Sequence, residues 1–266
     1  MSKRFALRVD IDTVRGLLDG VPPLLRICED LDIRATFFAT VGTDTTARAF
    51  LVAPRLRRHK VINPLSKYGL RELLGSTVGR RFSPHAERIR AIEKQGHEVQ
   101  LHCYNHLEWV RKIGHADVPT ALSMIKRGAT AFETIMGRRP EGFASPSFKV
   151  TDAVLDAEEK LAFKYASDYK TEGHGRPFRQ NGRSVLQIPV NTPLIEDRVA
   201  EGVPDDRILS ELVGIIKNSS LTVMYIHACY EPLLKPQLLR SVLQGALGLA
   251  ESVTFTEIWR DWNPSE

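Results

Sequence analysis

The 266-residue chain lacks several features that would place it in a special class of protein. Its apolar runs fall short of the ~18 consecutive residues of a membrane-spanning helix, and its first residues contain no uninterrupted apolar segment typical of a signal peptide. A glycine-rich dinucleotide fingerprint and a phosphate-binding loop are also missing. Repeats, heptads and low-complexity stretches are absent. These absences predict a cytosolic globular protein.

Cysteine is scarce, and proline, glycine and serine do not cluster into a linker. Cys28, Cys103 and Cys229 are odd in number and widely scattered, which fits free thiols in a reducing compartment better than a disulfide framework. Hydrophobic residues make up 42% of the chain and charged residues 26%, the usage of an ordinary globular protein. We therefore expect a single domain over residues 1–266.

Positive charge is concentrated in one segment. Residues 43–82 hold nine Lys or Arg against two acidic residues, a local charge of +7 that leaves −2 for the remainder. Apolar residues are interleaved with the arginines of this basic insertion, which includes Arg55, Arg57 and Arg58. The pattern favours contact with an anionic lipid surface, and the alternative is a solvated, salt-bridged insertion. Nucleic acid is not favoured, because no binding module accompanies the charge.

Apolar segments of strand length alternate with amphipathic segments of helix length along most of the chain. Alternation of this kind builds a parallel sheet covered by helices. Seven or eight strands in about 260 residues favour an irregular α/β barrel of the (β/α) type, with a doubly wound open sheet as the alternative. The expected strands lie near 5–13, 32–42, 98–102, 142–144, 162–168, 184–190, 221–227 and 253–255, and the expected helices near 22–31, 84–95, 119–136, 151–161, 205–217 and 236–251, with a loop at 15–20 and a closing turn near residue 259.

Two carboxylates, Asp10 and Asp12, stand one residue apart at the end of the first apolar strand. Because side chains alternate across a strand, both point to the same side if the strand is regular. Neighbouring carboxylates repel each other and raise one pKa unless a metal cation or a basic group lies between them. The pair therefore predicts a cation site, and the alternative is a strand end with two solvated aspartates.

Two histidines, His102 and His106, follow at the end of the third expected strand. Their spacing places both imidazoles on one face if the segment makes a helical turn. The carboxyl ends of the strands in β/α folds form a single face, so we expect these histidines to lie near Asp10 and Asp12. Two imidazoles and one carboxylate form a ligand set for a catalytic divalent ion such as zinc.

Two further polar side chains, His227 and Asp168, end apolar strands. An imidazole that titrates near pH 7 opposite a carboxylate is what hydrolysis requires, because one group takes a proton from water and the other gives one to the leaving group. The alternative for His227 is a buried core histidine. For Asp168 we expect the role of a carboxylate that orients a histidine or a cation.

Five short motifs together resemble those of the polysaccharide deacetylase (NodB-homology) family. Their order and spacing are far more specific than any one of them, and they span nearly the whole chain. They are Asp-Ile-Asp-Thr at 10–13, His-x-x-x-His at 102–106, Ala-Ser-Pro-Ser-Phe-Lys at 144–149, Ser-Asp at 167–168 and Ile-His at 226–227.

The resemblance implies a role for each matching residue. Asp10 would be the catalytic base and His227 the general acid, while Asp12, His102 and His106 would bind one divalent metal ion. Zinc is favoured, and manganese, cobalt and nickel are the alternatives.

A narrower resemblance is to the members of that family that deformylate an undecaprenyl-phosphate-linked formamido sugar in lipid A modification. It rests on Arg8 before the first motif, on the basic insertion and on the segments at 20–22, 176–179 and 187–189. It implies that Arg179 contacts substrate or supports the site. The third motif departs from the family, which usually has an arginine there, and Lys149 is expected to replace it as a point charge.

The function expected from these observations is metal-dependent hydrolysis of an N-acyl group on a carbohydrate, with formyl favoured. The expected partners are a lipid-linked or soluble acylated amino sugar and, by peripheral contact, the anionic cytoplasmic face of the inner membrane. One alternative is an N-deacetylase of another sugar or polysaccharide. A second alternative is an inactive protein that binds anionic glycolipid.

Overall fold

A computed structural model of the chain describes residues 2–46, 79–171, 173 and 175–263. Most of the basic insertion, including Arg55, Arg57 and Arg58, lies outside these residues. The strands within them are β1 (Arg4–Ile11), β2 (Ala35–Thr40), β3 (Thr43–Asp44), β4 (Arg80–Arg81), β5 (Glu98–Cys103), β6 (Gly142–Phe143), β7 (Tyr165–Ala166), β8 (Phe178–Arg179), β9 (Leu186–Gln187), β10 (Leu221–His227) and β11 (Glu251–Ser252).

The main sheet runs in the order β10-β1-β2-β5-β6-β7-β9-β8, and β11 pairs with the start of β1. Apart from β8, which is antiparallel to β9, neighbouring strands on this path are parallel. The order proceeds in one direction and brings the last long strand back beside the first. A doubly wound sheet would reverse direction part-way, so the sheet confirms the prediction of an irregular (β/α) barrel.

Helices cover the outside of the sheet, and some of them begin at a residue whose side chain caps the helix. The longest helix begins after Asp117, whose side chain accepts a hydrogen bond from the Thr120 N–H, and ends at Gly137, where φ is 73°. The helices within the described residues are α1 (Val21–Asp30), α2 (Ala86–Lys94), α3 (His106–Lys112), α4 (Val118–Met136), α5 (Asp152–Lys160), α6 (Ile195–Ala200), α7 (Asp205–Asn218), α8 (Glu231–Leu234), α9 (Pro236–Leu247) and α10 (Phe255–Trp262).

Strand β1 contributes one face to each of two apolar clusters. Phe5, Leu7 and Val9 belong to the larger cluster, which packs the sheet against the helices. Ala6 belongs to the smaller one, which fills the inside of the curved sheet and includes residues of α10. Because side chains alternate along a strand, Arg8 and Asp10 share the inner side with Ala6.

Three local predictions were wrong. Phe255 begins α10 instead of ending a strand, and the short strand lies earlier, at Glu251–Ser252. Thr254 decides this boundary, because its side chain and that of Glu257 form a reciprocal capping box that starts the helix. The expected turn near Trp259 lies inside α10, and the expected loop at 15–20 contains a π-helix at Gly16–Gly20.

The described ends of the basic insertion form a short antiparallel ribbon, since Thr43 and Asp44 pair with Arg81 and Arg80. None of the helices in the described ranges is long and apolar enough to cross a membrane.

Candidate active site

A cleft of about 350 Å³ opens at the carboxyl ends of β1 and β10. Asp10, Asp12, His106 and His227 all line it, and His102 lies buried beside them with 1% of its surface exposed. The parallel ladder between β1 and β10 sets Asp10 opposite His227. The structure therefore brings together the five residues predicted to act in catalysis or metal binding.

Asp12, His102 and His106 form a compact group of donor atoms, one atom from each residue, that lie within 4.8 Å of one another. The Asp12 Oδ1 atom is 3.2 Å from Nε2 of His102, and its Oδ2 atom is 3.8 Å from Nε2 of His106. Oδ1 of Asp12 is buried without a well-formed hydrogen bond. A divalent ion bound between this buried carboxylate and the two imidazole nitrogens would satisfy the unpaired oxygen.

One of the two histidines lies near the end of a strand and the other at the start of the following helix. His102 lies in β5 and His106 is the first residue of α3, so the segment between them is not the helical turn that the spacing suggested. Asn105 caps α3 by accepting a hydrogen bond of 2.8 Å from the Glu108 N–H. The cap fixes the direction in which the chain leaves the strand.

The orientation of His102 is set by a hydrogen bond of 2.7 Å between its Nδ1 and the carbonyl oxygen of Ala144. A carbonyl accepts only, so Nδ1 carries the proton and Nε2 presents its lone pair to Asp12. This tautomer is the one that binds a metal through Nε2.

The electrostatics of Asp12 and His106 favour the protonation states in which these side chains bind a metal ion. Burial raises the pKa of Asp12, but the imidazoles of His106, His102 and His227 together shift it well below the ordinary value. Burial lowers the pKa of His106 to about 4, although the Asp12 carboxylate opposes the shift. An ionised carboxylate and a neutral imidazole are the forms in which these side chains bind metal.

Asp10 is held by Arg8 of the same strand. The guanidinium donates two parallel hydrogen bonds of 2.8 Å, from Nε to Oδ1 and from Nη2 to Oδ2. Its Nη1 donates to the backbone oxygen and the hydroxyl of Ser167, at 2.5 and 3.0 Å. The Arg8 side chain is fully buried and its guanidinium lies over the Phe148 ring at 4.7 Å. A bidentate pair of this kind fixes the carboxylate plane.

His227 is held by a carboxylate that the sequence did not reveal. Its Nδ1 lies 2.9 Å from Oε2 of Glu196, at the start of α6. Glu231 accepts hydrogen bonds from the backbone N–H groups of both His227 and Glu196, at 2.9 and 3.2 Å. With Nδ1 engaged, the other ring nitrogen of His227 faces Asp12, 3.7 Å from its Oδ2 atom.

Asp168, Lys149 and Arg179 are not brought into the cleft. Asp168 is buried and accepts a hydrogen bond of 2.7 Å from the Ser145 N–H, so it supports the loop that positions Ala144 for His102. The exposed Lys149 donates to the Val110 carbonyl oxygen at 2.8 Å. Arg179 is exposed on β8 and donates to the Asn263 side chain at 2.6 Å. The cation that pairs with Asp10 is Arg8.

Arg8, Glu196 and Lys170 are among the residues of the cleft wall and its support that sequence reasoning missed. A signal existed for Arg8, because residues two apart on a strand share a face. No local pattern indicated Glu196, which follows an irregular segment, or Lys170, which follows the end of a strand.

A family model described as polysaccharide deacetylase matches residues 3–166. The chain belongs to the polysaccharide deacetylase family. Membership identifies it as a hydrolase that acts on amide carbon–nitrogen bonds.

One curated relative in this family is 30% identical over 250 residues, which cover 90% of the chain and 80% of the relative. It is the probable 4-deoxy-4-formamido-L-arabinose-phosphoundecaprenol deformylase ArnD of Shewanella sediminis. ArnD of Wigglesworthia glossinidia brevipalpis, also described as probable, is 30% identical over 79% of the chain and 76% of its own length.

A candidate polysaccharide deacetylase of Mycobacterium smegmatis superposes with a TM-score of 0.69 at 18% identity, covering 99% of the chain and 92% of that structure. At this identity the likeness concerns the fold, and it agrees with the irregular barrel described above.

Proposed function

We propose that the protein hydrolyses the N-formyl group of a formamido sugar linked to undecaprenyl phosphate, a step in lipid A modification. The observation that carries the proposal is the convergence of Asp12, His102 and His106 beside Asp10 and His227 in one cleft. The choice of formyl and of a lipid-linked sugar rests on the similarity to ArnD.

Asp12, His102 and His106 would hold one divalent ion, since their protonation states and the unpartnered Asp12 oxygen fit it. When bound, the ion supplies a Lewis acid that polarises the acyl carbonyl and lowers the pKa of water. Zinc suits a donor set of two imidazoles and one carboxylate, and manganese, cobalt and nickel are the alternatives.

Asp10 and His227 would move the protons. Asp10 is the base, because its carboxylate lines the cleft in an orientation fixed by Arg8. It receives a proton from the attacking water. His227 gives a proton from Nε2 to the departing amine, and Glu196, bonded to Nδ1, keeps that nitrogen directed into the cleft. Breakage of the C–N bond then leaves formate and a free amino sugar.

We further infer peripheral contact with the anionic cytoplasmic face of the inner membrane. The support is the +7 charge of residues 43–82, which would be attracted to anionic headgroups. The arginines concerned, Arg55, Arg57 and Arg58, lie outside the described residues, so this inference comes from the sequence.

The proposed reaction is tested by incubating the purified protein with a synthetic lipid-linked formamido sugar and measuring formate. Release of formate, together with much slower release of acetate from the matched acetamido sugar, is the expected result. The opposite preference would identify an N-deacetylase. Release of neither acid, with the lipid still bound, would identify an inactive glycolipid-binding protein.

The division of roles is tested by metal analysis of two isosteric variants. Asp12→Asn is expected to lose the metal and the activity together. Asp10→Asn is expected to keep the metal while the chemical step slows by about 10²- to 10⁴-fold. Asp19→Asn, at an exposed position outside the cleft, serves as the control and should behave as the wild type. Metal loss in Asp10→Asn with retention in Asp12→Asn would reverse the two assignments.

A further inference from the structure

Lys170 brings a positive charge into the wall of the cleft. Its ammonium donates a hydrogen bond of 2.8 Å to the Tyr225 hydroxyl and lies 4.6 and 4.7 Å from the ring centres of Phe148 and Tyr225. All three residues line the same cleft as Asp10 and His227. The ammonium is therefore held at a defined place beside the reacting groups.

The charge of Lys170 has no carboxylate partner within 4.0 Å in the part of the chain that the structure describes. Neighbouring carboxylates are bonded to other groups, since Asp10 pairs with Arg8 and Glu196 with His227. Burial lowers the pKa of Lys170, while the more distant Asp197 carboxylate acts in the opposite direction. The Lys170 side chain is exposed at the cleft, and an ammonium without an ion pair there is available to an anion that enters the cleft.

The ammonium also has donors to spare. It carries three N–H groups, and Tyr225 takes one of them in a hydrogen bond. The two aromatic faces stabilise the cation but accept no conventional hydrogen bond.

The Phe148 ring is itself fixed. It packs edge-on against the Tyr225 ring, with the two ring centres 5.2 Å apart. The backbone is left-handed at Ser147, where φ is 55°, and at Phe148, where φ is 53°. Left-handed backbone at two successive non-glycine residues is unfavourable and is maintained only where surrounding contacts impose it. The wall around Lys170 is thus built before a ligand arrives.

We infer that Lys170 binds a phosphate ester carried by the substrate, close to the acylated amine that is hydrolysed. This inference rests on the proposed function and deepens it, because it assigns the recognition of the phosphate to one side chain. The phosphate oxygens accept hydrogen bonds from the N–H groups that Tyr225 does not use. Lys170 is then a specificity residue, and it takes no part in proton transfer.

The inference is tested with two formamido sugars, one carrying an alkyl phosphate ester and one a neutral methyl glycoside. Lys170→Met keeps an apolar stem against the two rings and removes the charge. For the phosphate ester, KM should rise by about 10- to 100-fold with kcat little changed, as expected for the loss of a charge-assisted hydrogen bond. For the neutral sugar, both constants should stay near the wild-type values. Lys170→Arg should restore most of the affinity.

Lys126→Met, at an exposed position on α4, is the matched control and should leave both substrates unaffected. An equal loss on both sugars in Lys170→Met would overturn the inference and assign Lys170 a structural or catalytic role. An unchanged KM for the phosphate ester would also overturn it.

A binding measurement separates this inference from the proposed reaction. The alkyl phosphate ester of an amino sugar without an acyl group is titrated into the metal-loaded wild type and into metal-loaded Lys170→Met. Weaker binding by about 10-fold or more in the variant supports the inference even if no formamido sugar is hydrolysed. Equal binding overturns it, whatever the activity.

Discussion

At the scale of single residues, the cleft contains two pairs in which a neighbour fixes a proposed proton-transfer group. Arg8 holds the Asp10 carboxylate through two hydrogen bonds of 2.8 Å, and Glu196 holds His227 through one contact of 2.9 Å. Both supporting side chains belong to residues that are themselves hydrogen-bonded. Arg8 donates to Ser167, and the backbone N–H of Glu196 donates to Glu231. A support that is anchored in this way reduces the reorganisation needed when the proton moves.

Replacing Glu196 by glutamine is expected to lower kcat by about 10- to 100-fold with little change in KM. The amide can still reach His227, but it does not stabilise the charge that the imidazole carries as general acid. Glu196→Asp should recover part of kcat. The measurement is steady-state kinetics with formate detection.

Glu201→Gln, just beyond the same helix and exposed, is the control and should keep the wild-type kcat. If Glu196→Gln changes thermal stability but not kcat, Glu196 has no part in positioning His227.

The sequence was sufficient to predict which residues converge at the cleft but not the side chains that support them. Asp10, Asp12, His102 and His227 end apolar strands or directly follow one, and strand ends of a β/α fold converge whatever the loops do. Glu196 reaches His227 across 31 positions of sequence, through a segment without periodicity. Its location depends on tertiary packing that no local pattern encodes.

At the scale of elements, the ladder between β1 and β10 carries the two proposed proton-transfer groups, because it sets Asp10 opposite His227. The π-helix at Gly16–Gly20 packs against the chain that follows β10. A side chain at Gly20 would overlap the carbonyl oxygen of Ala228, the residue after His227. The prediction of a loop at 15–20 missed both the helix and this role, since two glycines near an apolar pair also suit a turn.

Gly20→Ala is therefore expected to lower the free energy of unfolding by at least about 2 kcal/mol and to reduce kcat by displacing His227. The matched control is Gly214→Ala in α7, where a new methyl group meets no atom within 4 Å and helix propensity predicts a gain of about 0.5–1 kcal/mol. Urea denaturation of both variants measures the effect. Equal stabilities for the two variants would show that the backbone at Gly20 moves aside without strain.

At the scale of the whole molecule, the barrel encloses a carboxyl group that forms no ion pair with a basic side chain among the described residues. Glu231 is fully buried, and burial raises its pKa from 4.5 to about 7. The folded protein therefore holds this proton more tightly than the unfolded chain does. The free energy of unfolding gained from this tighter proton binding is fully present below about pH 4.5 and is lost as the pH rises through about 7.

Between pH 5 and pH 8 this loss should amount to roughly 2–3 kcal/mol, and Glu231→Gln should not show it. The amide cannot accept hydrogen bonds from both His227 and Glu196, so the variant carries a cost of about 1–3 kcal/mol at every pH. The stability advantage of the wild type over Glu231→Gln should therefore shrink as the pH rises. Chemical denaturation at several pH values measures it.

The control is Glu29→Gln, at an exposed site on α1. Its free energy of unfolding should change with pH in the same way as that of the wild type. A constant difference between the wild type and Glu231→Gln would mean that Glu231 does not titrate there.

The pairing of Arg8 with Asp10 also bears on how such a site changes during evolution. Three consecutive codons encode both members of the pair, so they are inherited together and stay matched without a compensating change elsewhere. An arrangement with the cation in the loop at 144–149 would require two distant segments to vary in step. In this chain the cation lies in the same strand as Asp10, and the Lys149 side chain contacts Val110 instead.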